Sequence, residues 1–226
     1  MFADGGDLVD AEFWHNRWRD SLIPFHKERA NQFLKKYFDT LGLADGDEVL
    51  VPLSGKSVDM RWLRDRGCTV TGVELSDIAV RDFFNEQGIA ASRRRDGAFQ
   101  ILEGEGIKLL CGDIFALDST HATNISAVYD RAALVALPRE LRVRYVDHLL
   151  SLLAPAVPML LLTFEYPAHE IDGPPFSVDE AQVRELYAGR REVTRLESLD
   201  RLEDEPRLAE RGMTQLQEHA FLLTGG

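Results

Sequence analysis

The chain has 226 residues, 45% of them hydrophobic and 28% charged, and its 38 acidic against 26 basic side chains give a formal net charge of −12. That length and apolar share suit one large α/β domain with a full core, and the acidic balance argues against nonspecific nucleic-acid binding through phosphates. No apolar run is long enough to cross a bilayer, and the acidic N-terminus MFADGGDLVDAEF lacks the apolar core of a signal peptide. Neither the pair Cys68 and Cys111 nor the six histidines stand in a metal-ligand spacing. A cytoplasmic protein that holds no metal and binds no membrane is expected.

Residues 1–11 read as loosely held. The segment AEFWHNRWR at 11–19 places Trp14 and Trp18 on one face of a short helix, either as a seal on the domain or as an aromatic lid over a ligand. From His26 to Leu41, the apolar residues Ala30, Phe33, Leu34, Tyr37, Phe38 and Leu41 recur at helical spacing, and Gly42 closes the helix. Residues 1–42 thus form a helical lid region ahead of an α/β core over 43–226. No repeat or linker divides the chain, and a monomer is expected.

The stretch EVLVPLSGKSVDMRWLRDRGCTVTGVELS, residues 48–76, reads as strand, tight turn, helix and strand, followed by an acid. This is the βαβ layout of a nucleotide-binding half-fold. A P-loop needs glycine at position 50, where Leu50 stands, and no G-x-G-x-x-G follows the strand. A glycine-poor turn with Glu74 at the end of the second strand suits adenosine without a pyrophosphate. That points to S-adenosylmethionine, with a degenerate phosphate loop as the alternative. Glu74 is placed to accept from ribose hydroxyls; its simpler role is to cap a helix beginning near Asp77.

Ser76 is the candidate cap of a helix over Asp77 to Gln87, ended by Gly88. Arg93, Arg94 and Arg95 read as a solvated loop, and Phe99 to Leu102 as a short hairpin strand turning at Gly104 and Gly106. Ile107 to Cys111 is a strand leading to Asp113, a second strand-end acid, suited to the adenine amine or to a simple turn. Ile125 to Tyr129 is a buried strand that delivers Asp130 and Arg131 to its C-terminal end, where open α/β sheets bind ligands. Their side chains diverge, so one braces the fold while the other faces the pocket. Arg139 to Leu153 is a helix and Met159 to Phe164 a central strand. Ser177, with Glu180 three residues on, reads as a capping box for a helix to about Ala188. Glu192 to Leu199 and His219 to Thr224 are the last strands, joined by a charged connection from Asp200 to Gly212.

Six motifs, in order, are similar to those of the thiopurine S-methyltransferase family in its bacterial form. They are FW-x-x-RW at 13–18, PL-x-GKS at 52–57, GVE-x-S at 72–76, CGD-x-F at 111–115, DRAALVALP at 130–138 and DGPPFSV at 172–178. The resemblance reaches to AFLLT at 220–224. It implies a class I methyltransferase (Rossmann-like) fold: a doubly wound, mostly parallel seven-stranded sheet with an antiparallel last pair. It implies methyl transfer from S-adenosylmethionine to the sulfur of aromatic or heterocyclic thiols, with selenium and tellurium compounds as further implied substrates, and a role in detoxification. Position by position, the resemblance assigns Trp14 and Phe25 to cover the donor and Leu53 to line its methionine part. It assigns Glu74 to the ribose, Asp113 and Ile114 to the adenine, and Arg131 to the space between donor and substrate. Arg207 matches a second arginine near the substrate. Ser54 stands where family members commonly carry cysteine.

The implied partner is a small-molecule thiol. Arg131 and Arg207 suit stabilisation of a thiolate and, being permanently charged, cannot act as bases. Asp20 is the candidate carboxylate for a water relay, set against a plain helix-end role. Methyl transfer to oxygen or nitrogen, and nucleoside binding without turnover, are the competing readings.

Overall fold

The structure is a computed structural model that describes residues 11–225; the reading of the first ten residues as loosely held lies outside the described residues. The described chain opens with α1 (Ala11–Arg19), as its aromatic spacing predicts. The long helix expected from His26 is instead short. Asn31 Oδ1 accepts the Phe33 and Leu34 amides at 2.7 and 3.4 Å, so α2 begins only at Gln32 and runs to Tyr37. A 3₁₀ turn over Phe38–Leu41 completes the apolar stripe, and Gly42 closes it in the left-handed region at φ 63°.

The core follows as β1 (Glu48–Pro52), α3 (Val58–Asp65), β2 (Thr69–Glu74), α4 (Asp77–Gln87), β3 (Ser92–Asp96), β4 (Phe99–Gly104) and β5 (Ile107–Cys111). Then come β6 (Ile125–Arg131), α5 (Ala133–Ala136), α6 (Arg139–Leu152), β7 (Met159–Glu165), α7 (Glu180–Tyr187), β8 (Arg191–Asp200), α8 (Pro206–Glu210) and β9 (Gln217–Gly225). Ser76 caps α4 and Gly88 ends it, as its sequence predicts. The cap of α7 is Asp179, which accepts the Gln182 amide at 2.8 Å. Ser177 is drawn away from that role because its hydroxyl pairs with both backbone groups of Tyr166. The charged connection expected between the last strands contains α8, with proline at its start, where a missing N–H costs nothing.

All nine strands form one sheet in the order β3-β4-β5-β2-β1-β6-β7-β9-β8. The pairs among β5, β2, β1, β6 and β7 are parallel, and β9 and β8 close that side antiparallel. The sheet has nine strands where the resemblance implies seven: the run from β5 to β8 supplies the seven, and the β3–β4 hairpin, of which the sequence predicts β4 but not β3, adds two on the β5 edge. Arg93–Arg95 are therefore not loop. Their side chains are exposed, but the backbone pairs in register with Gln100–Leu102, and the charges suit a strand that must not recruit another at the sheet edge.

Alternation along the strands divides the core into two layers. Val49 and Val51, Ala127 and Tyr129, and Leu160 and Leu162 pack with α2, α3 and α4. Leu50, Val128, Met159 and Leu161 pack with α5, α6 and α7. Period-two geometry makes this separation obligatory, and it extends to the polar residues at the strand ends.

Candidate active site

β1 and β6 are neighbours, yet the helices that follow them pack on opposite faces of the sheet. Their C-terminal ends therefore flank a crevice, the place where open α/β sheets take ligands. Leu53, at φ 46°, and Gly55, at φ 53°, turn the chain sharply out of β1. Glu74, at the end of β2, holds this turn: one carboxylate oxygen accepts the Gly55 amide at 2.8 Å and the other the Ser76 amide at 2.7 Å. Glu74 is buried, and burial pushes its carboxyl above the usual range while the amides of Ser76, Gly55 and Leu75 pull it back. The carboxylate keeps acceptor capacity for a further donor. Glu74 does not cap α4 itself; it fixes the residue that does.

On β6 the polar residues obey the same alternation as the apolar ones. Asp130 shares a face with Val128 and accepts the Tyr145 hydroxyl of α6 at 2.7 Å. Arg131 shares the opposite face with Tyr129 and donates from Nη1 to Asp59 at 2.9 Å. Asp59, in the first turn of α3, also accepts the Tyr129 hydroxyl at 3.0 Å and the Asn31 amide at 2.7 Å. Burial works against the charge of Arg131, but Asp59, Tyr129 and Glu218 outweigh it and raise its pKa. Tyr129 is held far above the ordinary phenol value by burial and by Asp59, so it stays a donor. Asp130 therefore braces the fold, and Arg131 is anchored by one nitrogen, its other donors having no hydrogen-bond partner among the described residues.

The N-terminal segment packs onto the same turn. Phe25 meets Trp14 and Trp18 edge-on, with ring centroids 5.8 and 5.6 Å apart. A side-chain carbon added at Gly55 would lie 3.2 Å from the Trp18 ring, so the indole rests on the turn because glycine leaves it room. Asp113 is exposed and accepts the Phe115 amide at 2.9 Å, the simple turn role, with no partner for its second oxygen among the described residues. Ile114 is buried beside it, and the Gly112 amide donates to the Glu74 carbonyl at 2.9 Å, joining this turn to the crevice.

Leu53, Glu74, Arg131, Trp14 and Phe25 thus converge on adjoining turns. Arg207 and Asp20 do not join them: both are exposed, on α8 and at the end of α1, with no side-chain hydrogen bond among the described residues. Sequence reasoning missed Asp59. Its signal was an acid in the first helical turn after the ligand loop, facing a strand that ends in Tyr129 and Arg131. It also gave Trp18 no contact of its own, although the glycine it covers was already singled out.

The site fits an adenosine-bearing donor. It offers a buried carboxylate with spare lone pairs, a turn opened by two residues at positive φ, and aromatic rings over that turn. Among the described residues no group of histidine, cysteine or acidic side chains could hold a metal ion, and no helix is long and apolar enough to cross a membrane.

The model of the thiopurine S-methyltransferase family matches residues 9–226. A thiopurine S-methyltransferase of Nitrosospira multiformis is 47% identical over 212 residues, covering 94% of this chain and 96% of the relative. One of Pseudomonas entomophila is 45% identical over 216 residues, covering 96% and 100%. Among solved structures, the Burkholderia thailandensis 1,6-didemethyltoxoflavin-N1-methyltransferase, with S-adenosylhomocysteine bound, superposes with TM-score 0.64. It is 15% identical, with 99% of this chain and 93% of that one covered. A SAM-dependent methyltransferase of Methanosarcina mazei gives TM-score 0.60 at 15% identity, covering 86% and 97%. At such identities these structures are alike in fold.

Proposed function

The chain belongs to the thiopurine S-methyltransferase family, and from that membership we propose that it transfers a methyl group from S-adenosylmethionine to the sulfur of an aromatic or heterocyclic thiol. The observation that carries the donor half is Glu74, buried at the end of β2 and bonded to the turns on both sides of it. In this reading its free lone pairs take the ribose hydroxyls, Leu53 lines the methionine part, and Asp113 and Ile114 flank the adenine. When bound, the donor supplies an electrophilic methyl carbon on a sulfonium.

The residues then have three tasks. Trp14 and Phe25 cover the crevice, exclude water and stack against a flat acceptor. Arg131, fixed by Asp59, directs its remaining N–H groups at the acceptor sulfur and favours its thiolate form. The rigid turn at Leu53–Gly55 keeps donor and acceptor in line, the largest contribution available to an already activated methyl group. Arg207 reaches the acceptor only if the α8 segment closes over the crevice. That segment is tied to the lid by Lys27, which pairs with Glu205 at 2.5 Å.

The test is calorimetric titration with S-adenosylmethionine, followed by turnover with thionitrobenzoate and mass analysis of the product. Donor binding with a methylated sulfur supports the reading. Donor binding with no methylated sulfur removes the thiol acceptor, and no donor binding removes the assignment of Glu74.

A further inference from the structure

His26 follows Phe25, and the packing of Phe25 on Trp14 and Trp18, with Trp18 resting on Gly55, carries this loop to the rim of the crevice. The loop is closed by the His26 amide, which donates to the Ile23 carbonyl at 3.0 Å. The ring is half-buried. His121, His148 and His219 all engage neighbours through ring nitrogens, whereas the imidazole of His26 has no hydrogen-bond partner among the described residues. The charged groups it faces are Lys56 from the β1–α3 turn, Glu86 from α4, Arg131 from β6, and Glu28 from its own segment.

Of the acids near this rim, Glu28 is exposed to solvent and the others are committed. Glu86 pairs with Lys56 at 2.6 Å. Asp59 is fully buried and accepts from Asn31, Tyr129 and Arg131. Glu74 holds the amides of Gly55 and Ser76, and in the reading above its remaining lone pairs go to the ribose. Arg131 is held charged beside Asp59 and cannot accept a proton, and Lys56 is the partner of Glu86. The His26 imidazole has an uncommitted lone pair at the rim and a proton affinity suited to a thiol.

We propose that His26 accepts the proton of the acceptor thiol, so that the site methylates thiols that are un-ionised at neutral pH as well as those that arrive as thiolates. This rests on the methyl-transfer reading above. The S–H bond breaks, its proton passes to an imidazole nitrogen, and its electron pair stays on sulfur. That pair forms the new bond to the methyl carbon as the donor's C–S bond breaks and returns its pair to the donor sulfur. Product release leaves an imidazolium that loses its proton to water. Burial first, then Lys56 and Arg131, lower the pKa of His26 against the opposing pull of Glu86 and Glu28, which favours the neutral ring, the form able to accept a proton. The same two cations stabilise the thiolate that forms.

The experiment compares His26→Gln with the unsubstituted protein on two acceptors, thionitrobenzoate, which is ionised at neutral pH, and benzyl mercaptan, which is not. The kcat/KM of benzyl mercaptan is expected to fall on the order of a hundredfold, at least tenfold further than that of thionitrobenzoate. Its pH profile should also lose the limb set by a group titrating below the ordinary histidine value. Equal losses on both thiols, or none, overturn the proton role. Donor titration of the unsubstituted protein keeps the two readings apart, because absent donor binding defeats the methyl-transfer reading itself. NMR titration of the His26 ring in the unsubstituted protein gives a second measurement. A pKa at or above that of a free histidine overturns the proposal without any variant.

Discussion

Asp59 and Arg131 meet at 2.9 Å across the crevice, the carboxylate fully buried and the guanidinium with 19% of its side chain exposed. The pair joins α3 to the end of β6, and the Asn31 amide ties the lid segment to the same carboxylate. Asp59→Asn leaves the arginine charge without its counter-ion and turns an amide N–H toward groups that are themselves donors. Removing one partner of a buried pair costs about 3 kcal/mol, less where solvent reaches the other. The urea midpoint should drop accordingly, and thiol kcat/KM should fall while Tyr129→Phe, which leaves the charge pair intact, falls less. Equal effects of the two variants would reduce Asp59 to a packing role.

Glu74→Gln tests the donor half of the site. One of the two amides, Gly55 or Ser76, loses its acceptor, at a cost of about 1–3 kcal/mol in stability. Donor affinity should weaken at least about tenfold, equivalent to about 1.4 kcal/mol. A folded variant with unchanged affinity in calorimetry would remove Glu74 from the donor site.

What the sequence made legible was local. The strand–turn–helix–strand stretch from Glu48 to Glu74 lies within one βαβ unit, so the turn at Gly55 and the acid after β2 follow from spacing alone. Asp59 and Arg131 are 72 residues apart. Their meeting depends on β6 lying beside β1, which no local pattern states. The hairpin was half-visible: Phe99 and Ile101 alternate inward, but three arginines in a row hide the backbone pairing of β3. The late start of α2 turns on a single cap, Asn31, that outcompetes the apolar periodicity on either side of it.

Gly55→Ala tests whether the lid is seated by the turn. The residue sits at φ 53°, and the new carbon would crowd the Trp18 ring at 3.2 Å. The backbone alone costs about 1–2 kcal/mol. The indole must also shift toward solvent, so tryptophan emission should move to longer wavelength, and a Trp18→Phe background should abolish that move. An unmoved spectrum would show that the lid is held elsewhere.

Ser54→Ala should stabilise the protein. Its hydroxyl is buried with no partner among the described residues, and it lies over Gly72, where an added carbon would come within 2.8 Å of it, beside the Met60 sulfur. Removing an unsatisfied buried hydroxyl relieves about 1 kcal/mol. The urea midpoint should rise, and a fall would mean the hydroxyl is satisfied by water.

Asp130 supplies the pH dependence. Burial raises its carboxyl from 3.8 to about 6, against the pull of the Tyr145 hydroxyl and the amides of Leu134 and Ala133. The folded state therefore holds a proton that the unfolded chain has released throughout that window. Stability contributed by the protonated form is complete below the unfolded value and is lost as pH rises through the folded one. The loss amounts to about 3 kcal/mol and levels off above it. Asp130→Asn keeps an acceptor for Tyr145 and cannot ionise. The difference in unfolding free energy between the variant and the unsubstituted protein should thus grow in the variant's favour from pH 4 to about pH 7. A constant difference across that range would mean that Asp130 is ionised in the folded core at all of these pH values.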